Sequence, residues 1–354
     1  MRFYPYFGGL DYKVNTILKS MFDCLSHGNS IYLPSKFWEA LNEKNLGQLE
    51  SSGIINFKQT IAQNYFTWVI GRRDKQFRFL VKHTNLLAWP SVLRGLFAYD
   101  TTSSLSGKQQ RELDIFTRML WKYAERIDAE GILKRIEEPQ EGNPFKIYLH
   151  GKLISQDLAN SVLEYYSIRE KLTISNSEKV TICELGAGYG RNAYVFMNAF
   201  PKSKYIIIDI PPALYVAQHY LASVYNDKKI FNFRCFENYS EVEKEFQNSD
   251  IAFLLPHQAE LLPDKSVDLF INISSLHEMK KDQIHAYFKL IDRLTNGFFY
   301  TKQWIESRNP VDGITITPGD YPVSEKWRQL YHRAARVQTY FFEAMYATGR
   351  ERVL

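Results

Sequence analysis

The stretch from Val180 to Asp209, VTICELGAGYGRNAYVFMNAFPKSKYIIID, constrains the fold of this chain more than any other. Val180, Ile182 and Leu185 belong to a short apolar run bounded by turn residues, the pattern of a parallel strand buried on both faces. Gly186, Gly188 and Gly190 follow at once. Lacking side chains, they accept positive φ angles and let a ligand lie against the backbone. Arg191 to Phe200 has helical spacing and stops at Pro201, and Tyr205 to Ile208 is a second apolar run leading into Asp209. A strand, a glycine turn, a helix start and a second strand ending in a carboxylate are the wiring of a nucleotide-type cofactor pocket, with Asp209 placed to grip ribose hydroxyls.

The spacing separates one cofactor class from others. A nicotinamide fingerprint needs GxGxxG, whereas this chain reads GxGxG with Glu184 two residues before the first glycine, and no Walker lysine follows. The pattern resembles S-adenosylmethionine binding, in which Glu184 and the glycine loop lie near the methionine end and Asp209 holds the ribose.

At 354 residues the chain has the length of about two domains. Apolar content of 45% with 23% charge excludes disorder. No apolar run approaches the roughly 20 residues a membrane span needs. The N-terminus lacks a basic region followed by an apolar block, so the chain reads as soluble, not exported and cytoplasmic. Cys24, Cys183 and Cys235 stand apart from one another, which fits a reducing compartment and suggests no metal cluster; Cys183 reads as a small core residue. Residues 1–150 carry 20 Lys and Arg against 15 acids, and the remainder balances at 24 against 24. The one dense basic cluster, Arg72 to His83, is interleaved with aromatics as a nucleic-acid or phosphate-binding surface would be. A solvated strand or loop is the simpler reading.

The first 150 residues read as mostly helical, with segments at Tyr12–Ser26, Ser35–Leu49, Phe57–Trp68 and Gly107–Ile136. In the last, Leu113, Phe116, Leu120, Tyr123 and Ile127 recur at helical spacing. Glu137 to Lys146, EEPQEGNPFK, breaks the pattern and divides a helical N-terminal domain, 1–145, from a domain spanning 146–354. After a helix capped at Ser155, strands and helices alternate to about Trp304, which predicts an α/β, Rossmann-like doubly wound, mostly parallel sheet. The strands fall at Thr181–Leu185, Tyr205–Ile208, Ile251–Leu255, Val267–Ile273 and Gly297–Gln303. An antiparallel pair should close the chain, with Val337–Ala347 as a last edge strand or a helix.

Ligands of such sheets bind beyond the carboxyl ends of the strands. IAFLLPHQAELLPDKSVDLFI resembles the methyltransferase segment in which an acidic residue after the third strand meets the adenine amino group; here Gln258 occupies that place, and its carbonyl offers the same acceptor. The fourth strand runs into Asn272, Ile273, Ser274 and Ser275, unlike the DPPY or NPPY motif of enzymes that alkylate base nitrogens. Pro211 and Pro212 follow the second strand instead and read as a helix start. His277 is placed to point towards a methyl donor, and imidazole is suited to taking a hydroxyl proton near neutral pH. Glu278 either orients His277 or is itself the base, and either side chain could instead bind a divalent ion beside a sugar diol.

These motifs, with FWEALNEKNLGQLESSGIINFKQTIAQNYFTW, GKLISQDLANSVLEYYSI, YIIIDIPPALYVAQHYL, LLPHQAELLPDKSVDLFINISSLHEM and VQTYFFEAMY, resemble the sugar O-methyltransferases encoded in bacterial surface-polysaccharide clusters. That family is a branch of the class I S-adenosylmethionine-dependent methyltransferases. The resemblance implies S-adenosyl-L-methionine as cofactor and a sugar nucleotide or glycan as acceptor. It implies cofactor contacts at Gln156, Glu184, Gly186, Gly188, Gly190, Asp209, Gln258 and Ser274, and catalysis by His277 and Glu278. Magnesium is possible but not indicated. The N-terminal domain would be a lid, an acceptor-binding module or an oligomerisation surface. Two other readings stay open: methylation of a non-sugar small molecule or lipid, and nucleic-acid binding through Arg72, Arg73, Lys75 and Arg78.

Overall fold

The computed structural model describes residues 12–65 and 67–349. A hairpin of β1 (Ile147–Leu149) and β2 (Lys152–Ile154) precedes the main sheet. The sheet then takes β3 (Thr181–Leu185), β4 (Lys204–Ile208), β5 (Ile230–Phe231), β6 (Ile251–Leu254), β7 (Val267–Ile273) and β8 (Thr295–Trp304). A second antiparallel hairpin, β9 (Ser307–Asn309) with β10 (Ile314–Ile316), interrupts it before β11 (Arg328–Ala334) and β12 (Phe341–Ala347) complete it. The order across the eight strands is β11-β12-β8-β7-β3-β4-β6-β5. All pairs from β8 to β5 are parallel, while β12 is antiparallel to both its neighbours.

The chain thus enters the sheet at its middle, steps outward through β4 to β6, then returns to lay β7 on the other side of β3. Strand order reverses between β3 and β7, and a crevice opens at their carboxyl ends. This is a doubly wound, mostly parallel sheet, as the alternation of strands and helices predicts. Every residue of β4 is buried, as a central parallel strand covered on both faces requires. Of the expected strands, the five parallel ones stand within about two residues of their predicted bounds. The last differs in place: Phe341–Ala347 is an interior strand with all seven residues buried, and β11 is the edge.

The N-terminal part departs further from expectation. Gly107–Ile127 is helical behind a capping box of Ser106 and Gln109, but it stops at Asp128. The carboxylate of Asp128 accepts the amides of Ile132 and Leu133, and Gly131 is left-handed, so a separate short turn, Ile132–Arg135, begins there. Residues 54–59 and 61–64 form two 3-10 turns in place of one helix. In the basic cluster, Arg72 and Arg73 lie in a turn, while Lys75–His83 is a helix capped by Asp74 and not a strand or loop.

The Pro and Gly segment at 137–146 is packed. Gly142 has φ +83°, a Cβ there would meet the Phe57 ring at 2.3 Å, and its carbonyl accepts the amide of Lys58 at 2.9 Å. Phe57 in turn packs against Tyr189 and Tyr220, with ring centroids 5.2 and 5.7 Å away. One apolar core therefore crosses the predicted boundary at 145. The cysteines also correct the expectation: Cys24 and Cys235 form a disulfide, while Cys183 is buried and free.

Candidate functional site

Two loops meet at the crevice, one after β3 and one after β7. Gly186, at φ +70°, donates its amide to the Ile208 carbonyl at 2.8 Å, which turns the chain across the end of β4. A side chain there would collide with Ser275, whose Oγ lies 2.3 Å from the ideal Cβ position. Gly188 donates its amide to Oδ2 of Asp209 at 2.8 Å, and Ile210 donates to Oδ1 at 2.7 Å. Each oxygen keeps a further lone pair. Burial pushes the Asp209 carboxyl up to about 7 against these two hydrogen bonds, with the charge of Glu184 adding to the rise.

Gly186, Gly188, Asp209, Ser274 and Glu278 line one cavity. Ile210, Ala213, Pro256 and Met279 supply apolar wall. Trp38 and Tyr65 come from the N-terminal part and Tyr287 from the helix Lys281–Leu294. A carboxylate with free lone pairs at the end of the second parallel strand, a glycine turn without side chains beside it and apolar flanks fit a ribose-bearing cofactor such as S-adenosylmethionine.

Glu278 faces this cavity, and burial followed by the nearby Asp209 raises its carboxyl to about 8. His277 stands behind it, away from the cavity lining. Its Nδ1 donates to Gln303 Oε1 at 2.9 Å, its ring lies near Trp304 and Phe341, and burial lowers it to about 4. Nε2 is 3.6 Å from Glu278 Oε1. With both groups neutral between about 4 and 8, this contact is neither an ion pair nor a hydrogen bond. Gln303 is held in turn, since its amide donates to Asn272 Oδ1 and to Thr301.

The other predicted contacts lie elsewhere. Glu184 accepts from Asn192 at 2.8 Å and Tyr205 at 2.7 Å, and burial raises it to about 7, so it braces the glycine loop from beneath. Gly190 opens the helix Arg191–Ala199 at φ +83°, where a Cβ would sit 2.8 Å from Leu221; its role is packing. Gln258 is fully buried, its Oε1 accepting the Leu255 amide and its Nε2 donating to the Arg234 carbonyl. Both ends are used internally, and neighbouring Pro256 reaches the cavity instead. Gln156 lines a separate small cavity with Lys58, Thr67 and Glu138. Ser274, at φ +57°, borders both the main cavity and a smaller one holding Asp157, Asn160 and Arg191.

Sequence reading missed Trp38, Tyr65 and Tyr287, because aromatics at helical spacing look the same in a core as in a pocket. It also missed Asp157 and Arg191, although both directly follow motifs that it singled out. No group of three or more His, Cys, Asp or Glu side chains suited to a metal ion occurs among the described residues.

No family model matches the chain, and no curated protein does. Solved structures similar to it include a SAM-dependent methyltransferase from Aquifex aeolicus, 14% identical with TM-score 0.32 over 52% of this chain and 89% of that one. An arsenic(III) S-adenosylmethionine methyltransferase from Chlamydomonas reinhardtii is 18% identical with TM-score 0.34, over 56% and 74%. The mitomycin 7-O-methyltransferase MmcR is 10% identical with TM-score 0.36, over 78% and 69%.

Proposed function

We propose that this chain transfers the methyl group of S-adenosylmethionine to a hydroxyl of a sugar carried on a nucleotide or glycan, with Glu278 as the base. One observation carries the reading: the glycine turn and Asp209 form one side of a cavity to which Glu278 also contributes. When bound, the cofactor supplies a sulfonium methyl already activated for in-line displacement. Asp209 accepts from the ribose hydroxyls through the lone pairs its amide partners leave free. Glu278, once ionised, takes the acceptor hydroxyl's proton during attack, because a neutral alcohol is a poor nucleophile. His277 is a positioning residue that fixes the loop through Gln303. A cavity lined only by aromatics would favour an apolar acceptor; Ser35, Ser274 and Glu278 among Trp38, Tyr65 and Tyr287 support a hydroxylated one.

Calorimetry should show one S-adenosylhomocysteine bound per chain, and absence of heat with the intact protein would remove the cofactor assignment. Glu278→Gln should keep that binding and lose about 10²- to 10⁴-fold in turnover. Mass spectrometry after offering nucleotide sugars and surface glycan should find a product one methyl heavier, whereas methylation of apolar phenols alone would exclude the sugar.

A further inference from the structure

Away from the crevice, the surface between Val81 and Tyr99 holds seven of the eleven large apolar side chains that stand exposed among the described residues. Leu86, Leu87 and Phe97 are 83%, 88% and 86% exposed, on the first and last of three consecutive short turns, Leu86–Ala88, Trp89–Leu93 and Arg94–Phe97. Such concentration on one short stretch marks an interaction surface, since scattered exposed apolar residues would need no explanation. Leu87 and Arg94 also form a wall of a groove, which Lys122 and Arg126 line from the helix Gly107–Ile127 and Tyr148 and His150 line from β1 and the turn that follows it. Lys122 donates to Glu125 at 2.8 Å, an exposed pair, and Arg126 donates to the His83 carbonyl at 2.6 Å. Four basic side chains, Arg94, Arg118, Lys122 and Arg126, line the groove against one acid, Glu125, and Arg118 is paired with Asp114.

We propose that this face docks on an anionic phospholipid surface, with Leu86, Leu87 and Phe97 entering the interface and the basic groove taking headgroup phosphates. Apolar tips flanked by cations are what interfacial binding requires. No helix among the described residues is long and apolar enough to cross a membrane, so the contact lies on the bilayer and does not span it. Charge decides among occupants. A symmetric pairing of two copies through this face would bring the same basic surface against itself. RNA would answer the charge and leave the apolar turns uncovered. The inference is independent of the methyl-transfer reading.

Vesicle flotation of the full chain tests it. The protein should float with vesicles of phosphatidylglycerol and phosphatidylcholine in equal parts, stay behind with phosphatidylcholine alone, and be released at about 1 M salt, where the Debye length is about 3 Å. Leu87→Asp with Phe97→Asp should weaken flotation by at least about tenfold, and Arg94→Ala by about fivefold. Both variants should keep the wild-type circular dichroism and melting temperature, because the altered side chains are exposed. The proposal fails if the wild type does not float, or if the folded Leu87→Asp, Phe97→Asp variant floats as well as the wild type. It also fails if light scattering shows a dimer that this variant abolishes, or if an RNA oligonucleotide binds and vesicles do not.

Discussion

Glu278 and His277 are neighbours with opposite titration shifts, and under the proposed reading the two shifts predict different pH profiles for the two candidate bases. Burial raises the carboxyl to about 8 and lowers the imidazole to about 4. A base must be ionised to act, so kcat/KM should climb with pH through an apparent value near 8 and then level. If His277 were the base, the limb would fall near 4 and the profile would be flat above about 5, so a flat profile would refute Glu278. The same shift has a stability consequence. A carboxyl whose folded value exceeds its ordinary 4.5 binds more protons in the folded state, so its stabilising contribution is complete below 4.5 and is lost as pH rises through about 8. Glu278→Gln should therefore gain on the wild type as pH rises from about 5 to about 9, by a few kcal/mol in order of magnitude, measured as the difference in denaturant midpoints. Asp209 and Gly186 were legible in sequence because the end of a strand and a positive φ are backbone properties. Which of two adjacent side chains faces a cavity is set by packing from β8 and β12, far off in sequence, and the residue string carries no trace of it.

At the scale of elements, the two loops that build the cavity are locked together by one missing side chain. Gly186 comes from the turn after β3 and Ser275 from the loop after β7, and the serine occupies the space a Cβ at 186 would need. Ser275 is itself fixed, its Oγ accepting from Asn272 Nδ2 at 2.6 Å, and that same amide also donates to the Leu185 carbonyl at 2.9 Å. Gly186→Ala combines left-handed strain of about 1–2 kcal/mol with this collision, so a loss of about 2–4 kcal/mol is expected by chemical denaturation. Ser275→Gly in the same chain should restore part of it, since the residues are in contact. A cost no greater than strain alone, with no recovery in the double variant, would show that the loops do not depend on this fit. The parallel strands were readable because continuous apolar runs survive any tertiary setting. The N-terminal turns were not: residues 54–64 have enough apolar spacing for a helix, but Gly142 and Tyr220 hold Phe57 in a different path.

Across the whole molecule, the N-terminal part reaches the cavity through a covalent tie. Cys24, near the end of the helix Tyr12–His27, is bonded to Cys235, 211 residues later, in the stretch between β5 and β6. Around that bond the surfaces fit closely: Cys24 Sγ is 3.7 Å from His257 Nε2, and a Cβ on Gly28 would strike the His257 ring at 2.4 Å. The segment just after this helix supplies Tyr32, which donates to Glu260 at 2.7 Å and packs on Tyr287 at 5.1 Å, and then Ser35 and Trp38 of the cavity lining. Cutting the tie removes a constraint on a long loop of the unfolded chain, typically worth about 2–4 kcal/mol, and frees one wall of the cavity. The isolated cysteines gave no hint of this in sequence, since a pairing across 211 residues exists only once the helix lies over the sheet. Calorimetric melting of Cys24→Ser, or of the wild type in reductant, should fall by several degrees at about 2–4 °C per kcal/mol for a chain of this size. S-adenosylhomocysteine should bind the same variant more weakly, because Tyr32, Ser35 and Trp38 must be reordered around it. Identical melting with and without reductant would mean that packing alone holds the helix Tyr12–His27, and the weaker binding should then vanish with it.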